Sequence, residues 1–366
     1  ELGLLDAQGH GNERWLCHSP QERLFLHGRW QAGLDPEIAL TAEDRRQFRQ
    51  FDELIAAQRA SRRYTIPLEL GRRPDPLERI SARAWLDQNK LTSAYLRWHV
   101  NYACRDDYGA SLDDASAWAA IHYFAAREHE ERGPFTWPEG NGWILRRLLE
   151  KLARQVETNA MVHRIAPAGR RWRVESERLS LDADAVIFAA PTFLAPYLID
   201  GFSTPVPFEY SPWLTANLTI ENAPDLGETA WDNVIYDSPS LGYVVATHQQ
   251  VTSIQHRSVW TYYWALTGDP LTQRRRLLAQ PWGYWRDLIL NDLARAHPRI
   301  RQHVSRIDIM RIGHAMRRPS VKRAEDPIFH RPGLTFANSD LSGCSLFEEA
   351  QFHGVAAAQK ALTRVA

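Results

Sequence analysis

Near the C-terminus, the apolar run Leu334-Thr335-Phe336-Ala337 leads through a short polar turn to Asp340, and Ser345 stands three residues ahead of Glu348. Serine and glutamate at that spacing make a capping box, in which hydroxyl and carboxylate reciprocally satisfy backbone N–H groups where a helix starts. Such a helix N-terminus carries partial positive charge and free donors, which suit a phosphate or a ring that becomes anionic on reduction. Behind it Phe347, Ala350, Gly354, Ala357 and Ala361 recur at spacings of three and four. This narrow stripe of mostly small residues admits a bulky neighbour, a sheet or a ligand, at close range. The same pattern also describes an ordinary C-terminal helix docked on a sheet. If the stripe is an interface, Gly354→Leu overpacks it and disrupts docking.

Other chemistry-bearing residues sit on the approach to this stretch. His314, within Gly313-His314-Ala315-Met316, reads either as a polar group near a reacting centre or as a structural histidine. Arg317 and Arg318 follow it, as steering groups for an acidic substrate or as solvated surface charges. Asp106 and Asp107, beside Arg105 in a turn context, read as structural pairing, because adjacent aspartates point differently and no further metal ligand is at hand. The three cysteines, Cys17, Cys104 and Cys344, are too scattered for a disulfide framework or a CxxC site, and no metal centre is expected. Cys344 reads as a packing thiol rather than an attachment point.

The elements that must position these groups come from a chain of 366 residues, 44% hydrophobic, long enough for two domains or one large discontinuous one. Lys+Arg and Asp+Glu are equal at 44 each, so bulk electrostatics favour neither nucleic acid nor an anionic membrane. No run approaches the roughly 18 apolar residues of a membrane span, and no basic-then-apolar leader opens the chain. The expected location is the cytoplasm, or the periplasm if an export signal has been removed upstream. Lysine occurs only at Lys90, Lys151, Lys322 and Lys360, which leaves little for lysine-based catalysis. The 14 tryptophans supply planar surface for a core or for a cavity holding an apolar or conjugated small molecule. A first residue of Glu1 suggests a chain that begins inside a longer gene product or after processing.

Periodicity predicts helices over Thr41–Ala60, Ser81–Arg105, Ala115–Arg127, with Asp113 or Asp114 as cap, Trp143–Gln155 and Trp285–Ala296. Gly9-His10-Gly11 is no dinucleotide fingerprint, since Arg14 holds the third position. Strands are expected at Ala160–Ile165, at Arg171–Ser176 and at Ala183–Pro191, the last a buried central strand ending in small residues. Others follow at Leu214–Ile220, Asn233–Tyr236, Tyr243–Ala246, Ser258–Leu266 and Ile307–Met316. Pro67 to Pro76 reads as a loop.

This succession resembles the flavin-containing amine oxidoreductases, the group of amine oxidases, protoporphyrinogen oxidases and phytoene-desaturase-like enzymes, and in its first third a bacterial branch of it. Three segments, about a third of the chain, carry the likeness: the glycine turn and helix from Pro138 to Leu152 with the following strand at Val162, the strand end Val186–Pro191, and Phe336–Ala357. In the last, Ala337, Asp340, Glu348, Ala350, Gly354 and Ala357 match A-G-x-[DE] followed by E-G-A-x-x-x-G-x-x-A. Asn338 and Glu349 stand where that pattern has glycine, Asn141 interrupts a glycine pair, and the gap after Ser342-Gly343 is longer. The G-x-G-x-x-G segment that cradles the pyrophosphate is absent from these residues.

The resemblance implies an α/β (α+β) fold: an incomplete FAD/NAD(P)-binding Rossmann-like domain with an inserted mixed sheet-and-helix substrate domain. Implied segments are a mostly helical substrate-side cap at 1–133, FAD-binding parts at 134–200 and 330–366, and a mixed-sheet substrate domain at 201–329. The implied cofactor is FAD, held by Val162, Ala190, Pro191, Asp340, Ser345, Phe347, Glu348 and Ala350, with His314 as the catalytic candidate. The implied chemistry is hydride transfer from a C–H or amine substrate to flavin. The competing expectation is a flavoprotein-like binding or assembly module that has lost its cofactor.

Overall fold

The computed structural model describes residues 2–12, 15–16, 21–68, 75–127, 140–203, 206, 208–222, 230–249, 257–321 and 331–365. Within them the chain opens with a hairpin, β1 (Glu22–Leu26) and β2 (Arg29–Ala32), whose turn residues His27 and Gly28 have φ of 49° and 78°. Two positive φ values in succession match the twist of a tight hairpin.

A helical lobe follows. Helix α1 (Ala42–Ala60) starts at Thr41, whose hydroxyl accepts from Asp44 N–H while the Asp44 carboxylate accepts from Thr41 N–H. Its Phe48, Phe51 and Ile55 pack against α2 (Ala82–Gln88), α3 (Ala94–Tyr108) and α4 (Ala117–Ala125). The single helix expected from Ser81 to Arg105 is two, broken where Lys90 takes φ 58° and restarted by Ser93 as a fresh N-cap. Asp106 and Asp107 lie inside the last turn of α3, which Gly109 ends at φ 58°. Arg105 is not their partner: it donates to the carbonyls of Ser238, Pro239 and Ser240, and Asp107 pairs with Arg127. Ser116 caps α4, because Asp113 is taken by Arg83 and Asp114 by the Ser111 hydroxyl.

Helix α5 (Gly142–Leu152) leads to an antiparallel sheet of β3 (Val162–Ala168), β4 (Arg171–Ser176) and β5 (Ser180–Ala183). Strand β6 (Val186–Phe188) and the short helix α6 (Ala195–Leu198) come next. Then follow β7 (Tyr210–Glu221), β8 (Asp232–Ile235), β9 (Gly242–Val245), β10 (Arg257–Ala265), α7 (Pro270–Ala279), α8 (Trp282–Ala294), α9 (Ile300–His303) and β11 (Val304–Arg317). The chain closes with β12 (Leu334–Phe336) and α10 (Phe347–Val365).

The main sheet has seven strands in the order β11-β7-β10-β9-β8-β1-β2, antiparallel throughout except for β1 beside β8. Period-two alternation in β10 sends Trp260, Tyr262 and Trp264 into a core with Leu218, Trp285 and Ile289, so α8 covers that face. On the other face Leu24, Leu26 and Val234 cluster with Tyr102 of α3. The result is a mixed α/β layering with the sheet between helices.

A second parallel pair stands apart. Strands β6 and β12 run side by side, Ile187 opposite Thr335, and α10 returns over them. The buried central strand expected at Ala183–Pro191 is thus three residues long, with one strand neighbour among the described residues. Among these residues no helix is long and apolar enough to cross a membrane.

Candidate cofactor and substrate site

Because β6 and β12 are parallel, their carboxyl ends open together, the place where open α/β sheets receive ligands. Ala190 and Pro191 leave β6 there, and Asn338 leaves β12. The Asn338 amide donates to Ala190 O at 2.8 Å, and its Oδ1 accepts from Thr192 Oγ1 at 3.3 Å and Asp340 N–H at 3.2 Å. Asp340 is buried, and its Oδ2 accepts from Thr192 N–H at 2.9 Å and from the Tyr210 hydroxyl at 2.7 Å. An Arg317 guanidinium N–H donates to Asp340 O. The Asp340 turn thereby ties the exit of β6, the first residue of β7 and the last of β11 into one corner. Burial, then the Asp340 charge, holds the Tyr210 hydroxyl protonated well above its usual range. Among the described residues, the hydrogen bonds to the Asp340 carboxylate fall on Oδ2.

Helix α10 starts at Phe347, later than a Ser345 cap would place it. The Ser345 hydroxyl instead accepts from Arg317 N–H at 3.3 Å. Phe347 and Glu348 are exposed and Ala350 is half-buried, all at the mouth of the helix. Glu349 is fully buried, its Oε1 accepting from Leu68 N–H at 2.8 Å. At Gly354 the small-residue stripe is not in close contact with its surroundings, although Ala357 is buried: among the described residues a Cβ built at Gly354 meets nothing within 4 Å. A first side-chain carbon therefore has room there, against the overpacking expected of Gly354→Leu. Val162 opens β3 and, like Ala190, packs against the cluster of Ile165, Trp172, Phe188, Leu334 and Phe336.

His314 faces a different space. It lines a cavity of about 570 Å³ with Phe193, Tyr197, Phe202, Tyr210 and Arg274. Its ring stacks on Phe193, centroids 4.2 Å apart and 17° between planes, with Tyr210 edge-on at 5.8 Å. Burial, then the Arg274 charge, lowers the His314 pKa, so the ring is neutral near pH 7. Tyr210 joins the two halves, as its ring walls this cavity and its hydroxyl holds Asp340. His314 and Asp340 are therefore brought to one region, as are Ala190, Pro191 and Ser345. Sequence reasoning missed Thr192, Phe193, Tyr210 and Arg274. Thr192 and Phe193 had a signal, standing directly after the strand end Val186–Pro191, whereas Tyr210 and Arg274 had none.

Comparison with known proteins places this geometry. No protein-family model matches the sequence, and no curated protein matches it. Solved structures do. Putrescine oxidase bound to putrescine superposes with a TM-score of 0.70 at 13% identity, covering 94% of this chain and 81% of that one. Cyclohexylamine oxidase from Brevibacterium oxydans gives 0.62 at 13%, covering 94% and 82%. A CLA-producing fatty acid isomerase from P. acnes gives 0.68 at 12%, covering 93% and 80%. The chain shares the mixed α/β fold of these two amine oxidases and of the isomerase, in line with the fold expected from the sequence.

Proposed function

We propose that this chain belongs to an FAD-dependent oxidoreductase that removes a hydride from a C–H or amine position of a small substrate. The observation that carries this reading is the Asp340 corner, set at the carboxyl ends of the parallel β6–β12 pair, in a fold shared with putrescine oxidase.

The residues present fit the cofactor. Asp340 keeps Oδ1 for a ribityl or ribose hydroxyl, while Thr192 and Tyr210 fix the carboxylate through Oδ2. Val162 would offer backbone atoms to the adenine, and Ala190 and Pro191 form a small-residue wall. The α10 N-terminus, with Ser345, Phe347, Glu348 and Ala350, supplies oriented positive potential where a reduced ring gathers charge. FAD, when bound, supplies the two-electron acceptor. The chain's own part is to orient and to exclude water: Phe193, Phe202 and Tyr210 wall the cavity for an apolar or conjugated body, and neutral His314 holds a hydrogen-bonding nitrogen at its edge.

Exposed apolar side chains on α5 and on β6 support a cradle completed by further protein beside them. Leu145, Leu148 and Leu152 of α5 are 58%, 37% and 44% exposed, and Ile187 of β6 is 40% exposed. Parallel strands are normally covered on both faces, so a glycine-rich strand–turn–helix beside β12 would bury what is open. One observation favours the non-catalytic alternative: the buried Glu349 stands where the family pattern has glycine, so the helix start is filled by side chain on that side.

Asp340→Ala in the full-length protein tests the reading. FAD affinity should fall about tenfold or more, by analogy with losing a charge-assisted hydrogen bond, with the circular dichroism spectrum retained. Unchanged flavin occupancy would remove Asp340 from the site.

A further inference from the structure

A second cavity adjoins the aromatic one, with Phe208 and Glu209 in both linings. It is small, about 30 Å³, and lined by Arg317, Arg318, Ser116, Trp118 and Ser342. Both arginines are buried, at 4% and 3% exposure, which disposes of a solvated surface role.

Arg318 bonds only to neutral acceptors. Its Nη1 donates to Gly268 O at 2.7 Å, its Nη2 to Leu266 O at 3.2 Å and Ser211 Oγ at 3.3 Å, and its Nε–H has no partner. Among the described residues no carboxylate makes an ion pair with it; Asp114, Glu209 and Asp269 act on it through their fields. Beside it, the Arg317 guanidinium lies 3.6 Å over the Phe208 ring and donates to Asp340 O. Burying a guanidinium with no ion-paired carboxylate is unfavourable, and an anion brought beside Arg317 and Arg318 would offset that cost. A volume of 30 Å³ holds about two water centres, the footprint of two carboxylate oxygens. Glu78 and Glu209 in the lining disfavour a more highly charged anion.

We infer that this cavity receives the carboxylate of an amphiphilic substrate whose apolar body fills the 570 Å³ aromatic cavity. Calling that molecule the substrate rests on the flavin reading, whereas the preference for a carboxylate stands without it. Arg318 supplies the primary donor, Arg317 the second positive charge, and the body then lies against Phe193 and His314.

Titration calorimetry on the full-length protein with octanoate and its neutral counterpart octanamide tests this, with FAD content read separately by absorbance. Octanoate should bind at least about tenfold more tightly. Arg318→Met should bring octanoate down to the octanamide level. Should that variant fail to fold, Glu209→Gln decides, since removing a like charge from the lining should tighten octanoate about two- to fivefold and leave octanamide unchanged. Equal binding of the two probes to the wild type, binding of neither, or no gain in Glu209→Gln overturns the inference. Selective octanoate binding by a protein that takes up no FAD keeps the anion site and sinks the flavin reading; FAD-loaded protein that ignores the carboxylate does the reverse.

Discussion

In the seven-stranded sheet Leu214, Leu218, Ile220, Trp260 and Tyr262 are 0% exposed, whereas in the β6–β12–α10 unit Ile187, Val355 and Leu362 are 40%, 53% and 70% exposed. Both regions are apolar in pattern. The sheet has α8 on one face and α3 on the other; the parallel pair packs Phe188, Leu334 and Phe336 against Ile165, Trp172 and Ile199 and has α10 returning over it, yet leaves Ile187 open. The difference teaches that the seven-stranded sheet is a finished core, while the β6–β12–α10 unit presents apolar surface of the kind that marks an interface. It also explains where the polar bonds concentrate. Asn338, Asp340, Thr192 and Tyr210 tie the open unit to the closed one, doing locally what packing does elsewhere.

The sharpest break of this contrast is in the closed half. Trp260→Ala should destabilise by about 3–5 kcal/mol in chemical denaturation, as large core truncations do; a loss below 1 kcal/mol would mean the sheet core is not closed. Next comes the joint between lobe and sheet. Gly109 holds φ 58°, and a Cβ there would stand 2.5 Å from Ser211 Oγ. Gly109→Ala should therefore cost about 1–3 kcal/mol, read by thermal unfolding.

A smaller effect is expected where the same lobe meets β1 and β8. Burial, then Asp107, pushes the Asp106 pKa up to about 7, with Glu22 adding to the rise and Arg127 and Arg105 opposing it; Asp232 is raised as well. An acid whose folded pKa is raised binds more protons folded than unfolded. Its stabilising contribution is complete near pH 4 and is lost as pH rises through about 7. His122 and His297, lowered to about 4 by burial, act oppositely, losing stability as pH falls from their ordinary 6.5 toward 4. Asp106→Asn should thus gain about 1–2 kcal/mol over wild type at pH 8 and nothing near pH 4. Parallel pH–stability curves would refute the shift. The smallest effect belongs to the open half: Gly354→Leu should stabilise by about 0.5–1 kcal/mol, the helix-propensity gain over glycine. A large loss would show that α10 is covered after all.

How much was legible follows from the same contrast. The helix starting at Thr41 and the strand over Ser258–Leu266 rest on local signals, and each element formed where its pattern lay. Helix α5 was legible as a helix, but a periodic stripe says only that a face wants cover, not what covers it. The Lys90 break was hidden because a non-glycine residue in the left-handed region leaves no mark. At the site, Asp340 was visible as an acid closing a tight turn. Its partners Tyr210 and Thr192 lie 130 and 148 residues away, beyond any local pattern. The burial of Arg317 and Arg318 was illegible for the same reason, since arginines near a strand end look alike whether the next layer covers them or water does.

The central claim is that the Asp340 corner closes a flavin site, and flavin content tests it most directly. The full-length protein is purified, denatured, and its released chromophore measured by absorbance and fluorescence. Stoichiometric FAD is expected; a colourless protein that takes up no added FAD contradicts the claim.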